Sequence, residues 1–432
     1  MDKRFHSVTL DASRCKGCTK CLKKCPMEAI RVREGRAYIL DERCIDCGEC
    51  IRTCSYHAKV AMTDDFSIIE KYKYKIAIPA PSLYGQFNRI KNIATILEAL
   101  KRIGFTEVYE VAKGADVVTR FVREKLKSGD YPRPLISSAC PAVTRMIQLK
   151  FPTLIPNIIN VRQPMEVAAM IAKKEFAKKH NANPEDIGVF FITPCAAKVT
   201  AIRNPIGQSK SEVDGAISII DIYARLFPVL QNIEEVENKD IATPCGVAWA
   251  NAGGETLAAK ANRSLSVDGI ENVMHVLEEL ENGKLSNLDY FEGAACPGGC
   301  VGGPLTYENQ YVARNRVIHL TDKLKPIHIS EAVPNSVLNS YNLELDEAIC
   351  ANNSMQLAGE VSSAIEKMEK INEITEKLPG YDCGSCGSPT CQSFAEDIVR
   401  GYYSMTDCIF ILRDRLKVMA QQMVDMSNTK RE

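Results

Sequence analysis

Ile187-Gly188-Val189-Phe190-Phe191-Ile192-Thr193-Pro194-Cys195-Ala196-Ala197-Lys198 is a short apolar run that delivers a cysteine just past its end. Two other segments repeat the arrangement. Leu135-Ile136-Ser137-Ser138-Ala139-Cys140-Pro141 is one, and Tyr290-Phe291-Glu292-Gly293-Ala294-Ala295-Cys296-Pro297-Gly298-Gly299-Cys300-Val301-Gly302-Gly303 is the other. From about Lys73 to Asn342, apolar runs alternate with amphipathic stretches. Strands are expected at Tyr74–Ile78, Glu107–Val111, Leu135–Ser138, Ile187–Ile192 and Leu265–Val267. Helices are expected at Lys91–Ile103, Pro164–Lys179 and Asp268–Leu280. Strands that alternate with helices predict an α/β fold with parallel sheets flanked by helices. Ligands of such folds gather beyond the carboxyl ends of the strands, where Cys140, Cys195 and Cys296 stand. From the residues alone, this predicts an iron–sulfur site between two lobes.

The 432 residues allow two or three domains, with 45% hydrophobic and 25% charged residues. Lys plus Arg and Asp plus Glu number 54 each, which argues for neither a nucleic-acid nor a membrane-surface partner. The start, Met1-Asp2-Lys3-Arg4-Phe5-His6, lacks the apolar core of an export signal. No apolar stretch reaches the length of a membrane helix, so a cytoplasmic protein is expected. The 18 cysteines fall mostly in tight C-x2-C spacings, which suit metal better than disulfides.

Cys15, Cys18, Cys21 and Cys25-Pro26, then Cys44, Cys47, Cys50 and Cys54, follow the bacterial two-cluster ferredoxin spacing. The fourth cysteine of each run serves the other cluster. One [4Fe–4S] cube is therefore expected on Cys15, Cys18, Cys21 and Cys54, and the other on Cys44, Cys47, Cys50 and Cys25. Zinc also takes C-x2-C pairs, but two complete four-cysteine runs favour iron. Ser55 replaces the proline that often follows the last cysteine.

Residues 352–378 carry apolar positions at helical spacing, from Leu357 to Ile374. Cys383, Cys386, Cys391 and Cys408 then supply four thiolates among glycines, which let the backbone approach a cluster closely. This segment looks like the small [4Fe–4S] domain of corrinoid iron–sulfur proteins. The amphipathic tail Ile409–Met426 is expected to pack back or to dimerise.

The trio of central motifs resembles the catalytic domain of the [FeFe]-hydrogenases. The resemblance covers the whole central domain. It implies that Cys140, Cys195, Cys296 and Cys300 hold a [4Fe–4S] cube and that Cys300 bridges to a two-iron unit with CO, CN and dithiolate ligands. It also implies that Lys198 hydrogen-bonds a cyanide of that unit. Active members carry a free, proton-bearing cysteine where this chain has Ala139. Thr193 stands for a Met, Ala201 for a Glu and Ala294 for a Met. Lys113 and Asp116 fall where two proton-path glutamates are expected, and Ile159 where a serine is. Gly302-Gly303-Pro304-Leu305 replaces a Gly-Gly-Gly-Gln-Pro run. Cys245 is either a substitute proton carrier or a small apolar filler. Cys350 receives no role.

The C-terminal cluster segment resembles the sensory branch of the family, with any output passing to a separate signalling protein. The expected organisation is a two-[4Fe–4S] α+β ferredoxin domain at 1–62, a two-lobed α/β hydrogenase domain at 63–345, and a mostly helical part at 346–432 comprising a linker helix, a [4Fe–4S] domain and a last helix. The expected activity is reversible hydrogen oxidation and proton reduction under anaerobic conditions, slow because the proton route is cut. Four [4Fe–4S] clusters, a redox partner such as ferredoxin, hydrogenase maturation proteins and a homodimer complete the expectation. The rival is a non-catalytic iron–sulfur scaffold or electron-transfer protein without the two-iron unit, as in the eukaryotic iron–sulfur assembly relatives.

Overall fold

The computed structural model describes residues 5–429; Met1–Arg4 of the start considered above lie outside them. The chain divides into two compact units. The first comprises Met1–Val8, Ile45–Gly48 and Ala61–Asn352. Its larger sheet runs Glu107–Val108, Tyr74–Pro79, Ile187–Thr193, Gly215–Ser218, and every pair in it is parallel. A second parallel sheet runs Ser264–Asp268, Tyr290–Ala294, Leu135–Ile136. All seven residues of Ile187–Thr193 are buried, as a strand covered on both faces requires. Helices on the sheets include Ile93–Arg102, Pro164–His180, Ile219–Leu230 and Ile270–Glu281. Pro164 opens its helix at a position where the missing N–H costs nothing.

Two expectations need correction. The strand expected to run to Val111 stops at Val108, and Val111 begins an 18-residue helix to Ser128. Val111, Ala115, Val118 and Val122 are buried at helical spacing and dock this helix. Gly114 marks its contact with Pro164–His180, since a β-carbon there would lie 2.3 Å from the Pro164 carbonyl oxygen. The helix expected over 352–378 begins at Val361. Asn352, Asn353, Ser354 and Gly359 favour turns, and only a short 3₁₀ segment, Asn353–Met355, forms ahead of it.

The second unit comprises Thr9–Cys44, Glu49–Val60 and Asn353–Glu432. Its Ile30–Arg33 and Arg36–Ile39 strands pair antiparallel across Glu34-Gly35, both at positive φ as a tight hairpin demands. Val361–Lys377, Cys391–Val399 and Ile409–Thr429 make its C-terminal part helical. Among the described residues, no helix is long and apolar enough to cross a membrane.

Candidate metal centre

In the first unit the three strand exits converge. Cys140 caps the helix Pro141–Lys150, and Cys195 caps Ala196–Arg203. Both thiols thus stand at helix N-termini, where free N–H groups and the helix dipole favour anionic sulfur. Cys296 follows the strand Tyr290–Ala294 by two residues, and Cys300 opens a 3₁₀ turn. All four cysteines line one cavity of ≈ 90 Å³, together with Lys198, Ala139, Glu255 and Glu292. The loop around Cys300 is pressed against neighbouring backbone. A β-carbon on Gly299 (φ +94°) would lie 2.3 Å from the Ala252 nitrogen, and one on Gly303 2.2 Å from the Pro194 carbonyl oxygen. Only glycine fits either place. Arg145, fully buried on the helix after Cys140, donates to the Ala197 and Asn204 carbonyls and so ties the first motif to the second.

Burial pushes the Cys195 thiol well up, and the neighbouring Cys296 and Cys140 add to it. Burial also pushes Cys300 up to about 12, against the Lys198 charge. Buried thiolates stand together only around a cationic centre that repays their desolvation. The donor set, its burial and the glycine loop fit an iron–sulfur cube. Lys198 Nζ donates to the Ala139 carbonyl oxygen at 3.2 Å, which holds the ammonium at the cavity wall. Thr193 is spent on its own turn: Cys195 N–H donates to its Oγ1 at 3.1 Å.

A buried polar cluster occupies the same wall. Ser137 Oγ lies 2.8 Å from both oxygens of Glu255, and Tyr290 OH donates to that carboxylate at 2.5 Å. The Ala139 N–H donates to Ser137 Oγ at 3.2 Å. Burial, and then the charge of Glu292, push Glu255 up to about 8. Glu292 accepts from the Gly253 and Thr256 N–H groups, both at 2.8 Å. Glu255 and Glu292 were not anticipated from the sequence. Glu292 had a signal, a lone carboxylate inside an apolar strand. Glu255, beside a glycine pair, had none.

The residues aligned to the expected proton path sit elsewhere. Lys113 pairs with Asp240 at 3.1 Å, and Asp116, pushed up to about 7 by burial, accepts from Thr243 N–H. Both line a different cavity. Ile159 packs with Val117, Val118 and Leu135, and Ala201 with Phe191 and Val199. Cys245, on the short helix Pro244–Ala248, is absent from the residues lining the central cavity. Cys350 is exposed.

Cys47 belongs to the first unit and lines the central cavity itself. In the second unit, Cys15, Cys18, Cys21 and Cys54 line one small cavity with Gly17, Val32, Ala37 and Lys59. Backbone N–H groups point at its sulfurs: Ala37 to Cys15 at 3.4 Å and Ala58 to Cys54 at 3.3 Å. Ala29 N–H does the same for Cys25 at 3.3 Å. Cys408 lies in an apolar cluster with Phe394 and Ala395, and Cys386 and Cys391 pack against it.

A family model described as "Iron only hydrogenase large subunit, C-terminal domain" matches residues 73–304. A "4Fe-4S dicluster domain" matches 7–55, and an Fe–S cluster model matches 378–410. The periplasmic [Fe] hydrogenase large subunit of Nitratidesulfovibrio vulgaris is 25% identical over 69% of this chain and 86% of its own length. A Caenorhabditis elegans protein named "Probable cytosolic Fe-S cluster assembly factor oxy-4" is 24% identical over 64% of this chain and 73% of its own. A solved [FeFe]-hydrogenase chain from Chlamydomonas reinhardtii superposes with a TM-score of 0.49 at 17% identity, covering 65% of this chain and 92% of that one. With more than half of its residues matched by that family model, the chain belongs to the iron-only hydrogenase family and is a hydrogenase-like iron–sulfur protein.

Proposed function

We propose that the protein is a slow [FeFe]-hydrogenase with a hydrogen- or redox-sensing role. The observation that carries this is the buried cavity that holds Cys140, Cys195, Cys296 and Cys300 with Lys198 at its wall. Cys140, Cys195, Cys296 and Cys300 hold the cube, and Cys300 also holds the two-iron unit. That unit, when bound, supplies the chemistry of hydrogen splitting and formation. Lys198 would offer an ammonium N–H to an anionic ligand at the cavity wall. Ala139 has no proton to give. Glu255, neutral at pH 7 and bonded to Ser137 and Tyr290, is the group at the cavity that holds and releases one. A single buried carboxyl in place of an aligned route is consistent with slow turnover. Cys47 lies at the same cavity wall, which supports an electron route that reaches the site through this cysteine.

A redox protein such as ferredoxin, maturation proteins and a separate signalling protein are the partners this reading requires, in the cytoplasm. Ile409, Leu412, Leu416, Met419, Met423 and Met426 are exposed at alternating spacings of three and four, which supports a homodimer. The second reading, a scaffold without the two-iron unit, draws on the assembly-factor relative and on the alanine at position 139. Maturated wild-type protein given excess low-potential reductant should evolve hydrogen slowly, and Cys300→Ser should evolve none. No hydrogen from either would favour the scaffold.

A further inference from the structure

We propose that the cube on Cys383, Cys386, Cys391 and Cys408 is the fixed one-electron partner of the cube on Cys15, Cys18, Cys21 and Cys54, the two being separated by a single strand. The inference rests on the cluster assignments above and adds the connection between them. Val32 forms part of the wall around Cys15, Cys18, Cys21 and Cys54. Its N–H donates to the Gly387 carbonyl oxygen at 2.9 Å, and Gly387 directly follows Cys386. The approach is as close as backbone allows: a β-carbon on Gly387 (φ +81°) would lie 1.8 Å from the Val32 carbonyl oxygen. Lys23 makes a second connection. It shares the helix Lys20–Lys23 with Cys21, and its Nζ donates to the Pro389 carbonyl oxygen at 2.7 Å and to that of Asp382. Those two carbonyls flank the loop carrying Cys383 and Cys386.

The contact is built to be permanent. Arg31 forks onto Asp397 with bonds of 2.6 and 3.0 Å, and the two side chains are 1% and 3% exposed. Ser388 Oγ adds a bond to the same carboxylate at 2.8 Å. Separating the surfaces would strand both charges, so a buried fork of this kind does not suit a transient encounter. Glu28 accepts from Ser393 and Thr390, and the Arg33 guanidinium lies 3.4 Å from the Tyr403 ring centroid. Apart from the Ser388 bond, which lies within the C-terminal segment, these contacts join the ferredoxin segment to the C-terminal segment inside one compact unit.

Electron tunnelling weakens steeply with distance and needs no motion when donor and acceptor are held. One electron leaves the reduced cube, whose core returns from +1 to +2. It enters the oxidised cube, whose core goes from +2 to +1. No bond breaks and no proton moves. Two ferredoxin-side cations face the C-terminal cluster. Lys23 stands at the Asp382 and Pro389 carbonyls around the C-terminal loop, and Arg33 stacks on Tyr403 in the same segment. The reduced cube is the more negative one, so these charges stabilise an electron on the C-terminal cluster, as the buried Lys59 does for an electron on the cube of Cys15, Cys18, Cys21 and Cys54.

The test is electron paramagnetic resonance of the full-length, cluster-loaded protein reduced with dithionite, with iron counted in each variant. Every variant is made in a Cys44→Ala/Cys50→Ala background, which removes the other ferredoxin cube and its own coupling to the first; that background should show spin–spin broadening from the paired reduced cubes. Cys383→Ala/Cys386→Ala should lose about four irons per chain and the broadening together. In the same background, Cys15→Ala/Cys18→Ala should also abolish the broadening. Arg33→Gln should lower the midpoint potential of the C-terminal cube. No loss of iron in the Cys383/Cys386 variant would refute the cluster assignment itself. Loss of iron with the broadening intact, or broadening that survives without the first quartet, would overturn the pairing alone.

Discussion

Glu255 is where a single residue decides most. Its carboxyl is buried, shares bonds with Ser137 and Tyr290, and is pushed from the ordinary range up to about 8, by burial first and then by Glu292. Its folded pKa exceeds its unfolded one, so the folded protein binds more protons between pH ~4.3 and about 8. Stability of the cluster-free protein should therefore fall as pH rises through that window and level off above it. Glu255→Gln should flatten this dependence, read by urea denaturation at a series of pH values. The same substitution in maturated protein should cut hydrogen turnover about 100-fold, the lower end of what a positioned proton donor supplies, with the infrared bands of the cofactor retained. Unchanged turnover would remove Glu255 from the proton route. The spacing of Cys15 to Cys25 and of Cys44 to Cys54 is local and can be read directly. Glu255 was not legible in this way, because Ser137, Tyr290 and Glu255 meet only once the small parallel sheet has formed.

At the scale of elements, most strands and helices followed from apolar periodicity, and the misses have physical causes. Val111–Ser128 did not read as a helix because Gly114, Val117, Val118 and Thr119 are poor helix formers. Burial against Pro164–His180 overrides that preference, as the Gly114 contact shows. The Arg31–Asp397 fork was equally invisible, since the partners lie 366 positions apart. Asp397→Ala should cost about 3–5 kcal/mol because it leaves Arg31 buried without its counter-charge. Denaturant unfolding of the cluster-loaded protein measures this, and a loss below about 1 kcal/mol, the range of an exposed pair, would contradict it. For the last helix, Leu416→Lys/Met419→Lys should turn a dimer into a monomer in sedimentation velocity. A monomeric wild type would end the homodimer proposal.

Across the whole molecule, the family was legible in three motifs, but the grouping of the chain was not. Asn353–Glu432 clusters with Thr9–Cys44 and Glu49–Val60, segments far away in sequence, while Ile45–Gly48 joins the hydrogenase-like unit and brings Cys47 to the central cavity. No local pattern announces such a grouping, because it depends on pairs such as Val32 with Gly387 that carry no periodic signal. Ala139 and Ala294 line the cavity beside the four cysteines and Lys198, and on the proposed reading Ala139 takes the place of a proton-bearing cysteine. The central claim is thus that this cavity accepts the two-iron unit although its fast proton route is gone. Infrared spectroscopy of the maturated protein tests it most directly. Carbonyl and cyanide stretching bands should appear in wild type and vanish in Cys300→Ser, with the ferredoxin cubes intact in both. Wild-type protein that carries all of its cubes yet shows no such bands would contradict the claim and leave an iron–sulfur scaffold.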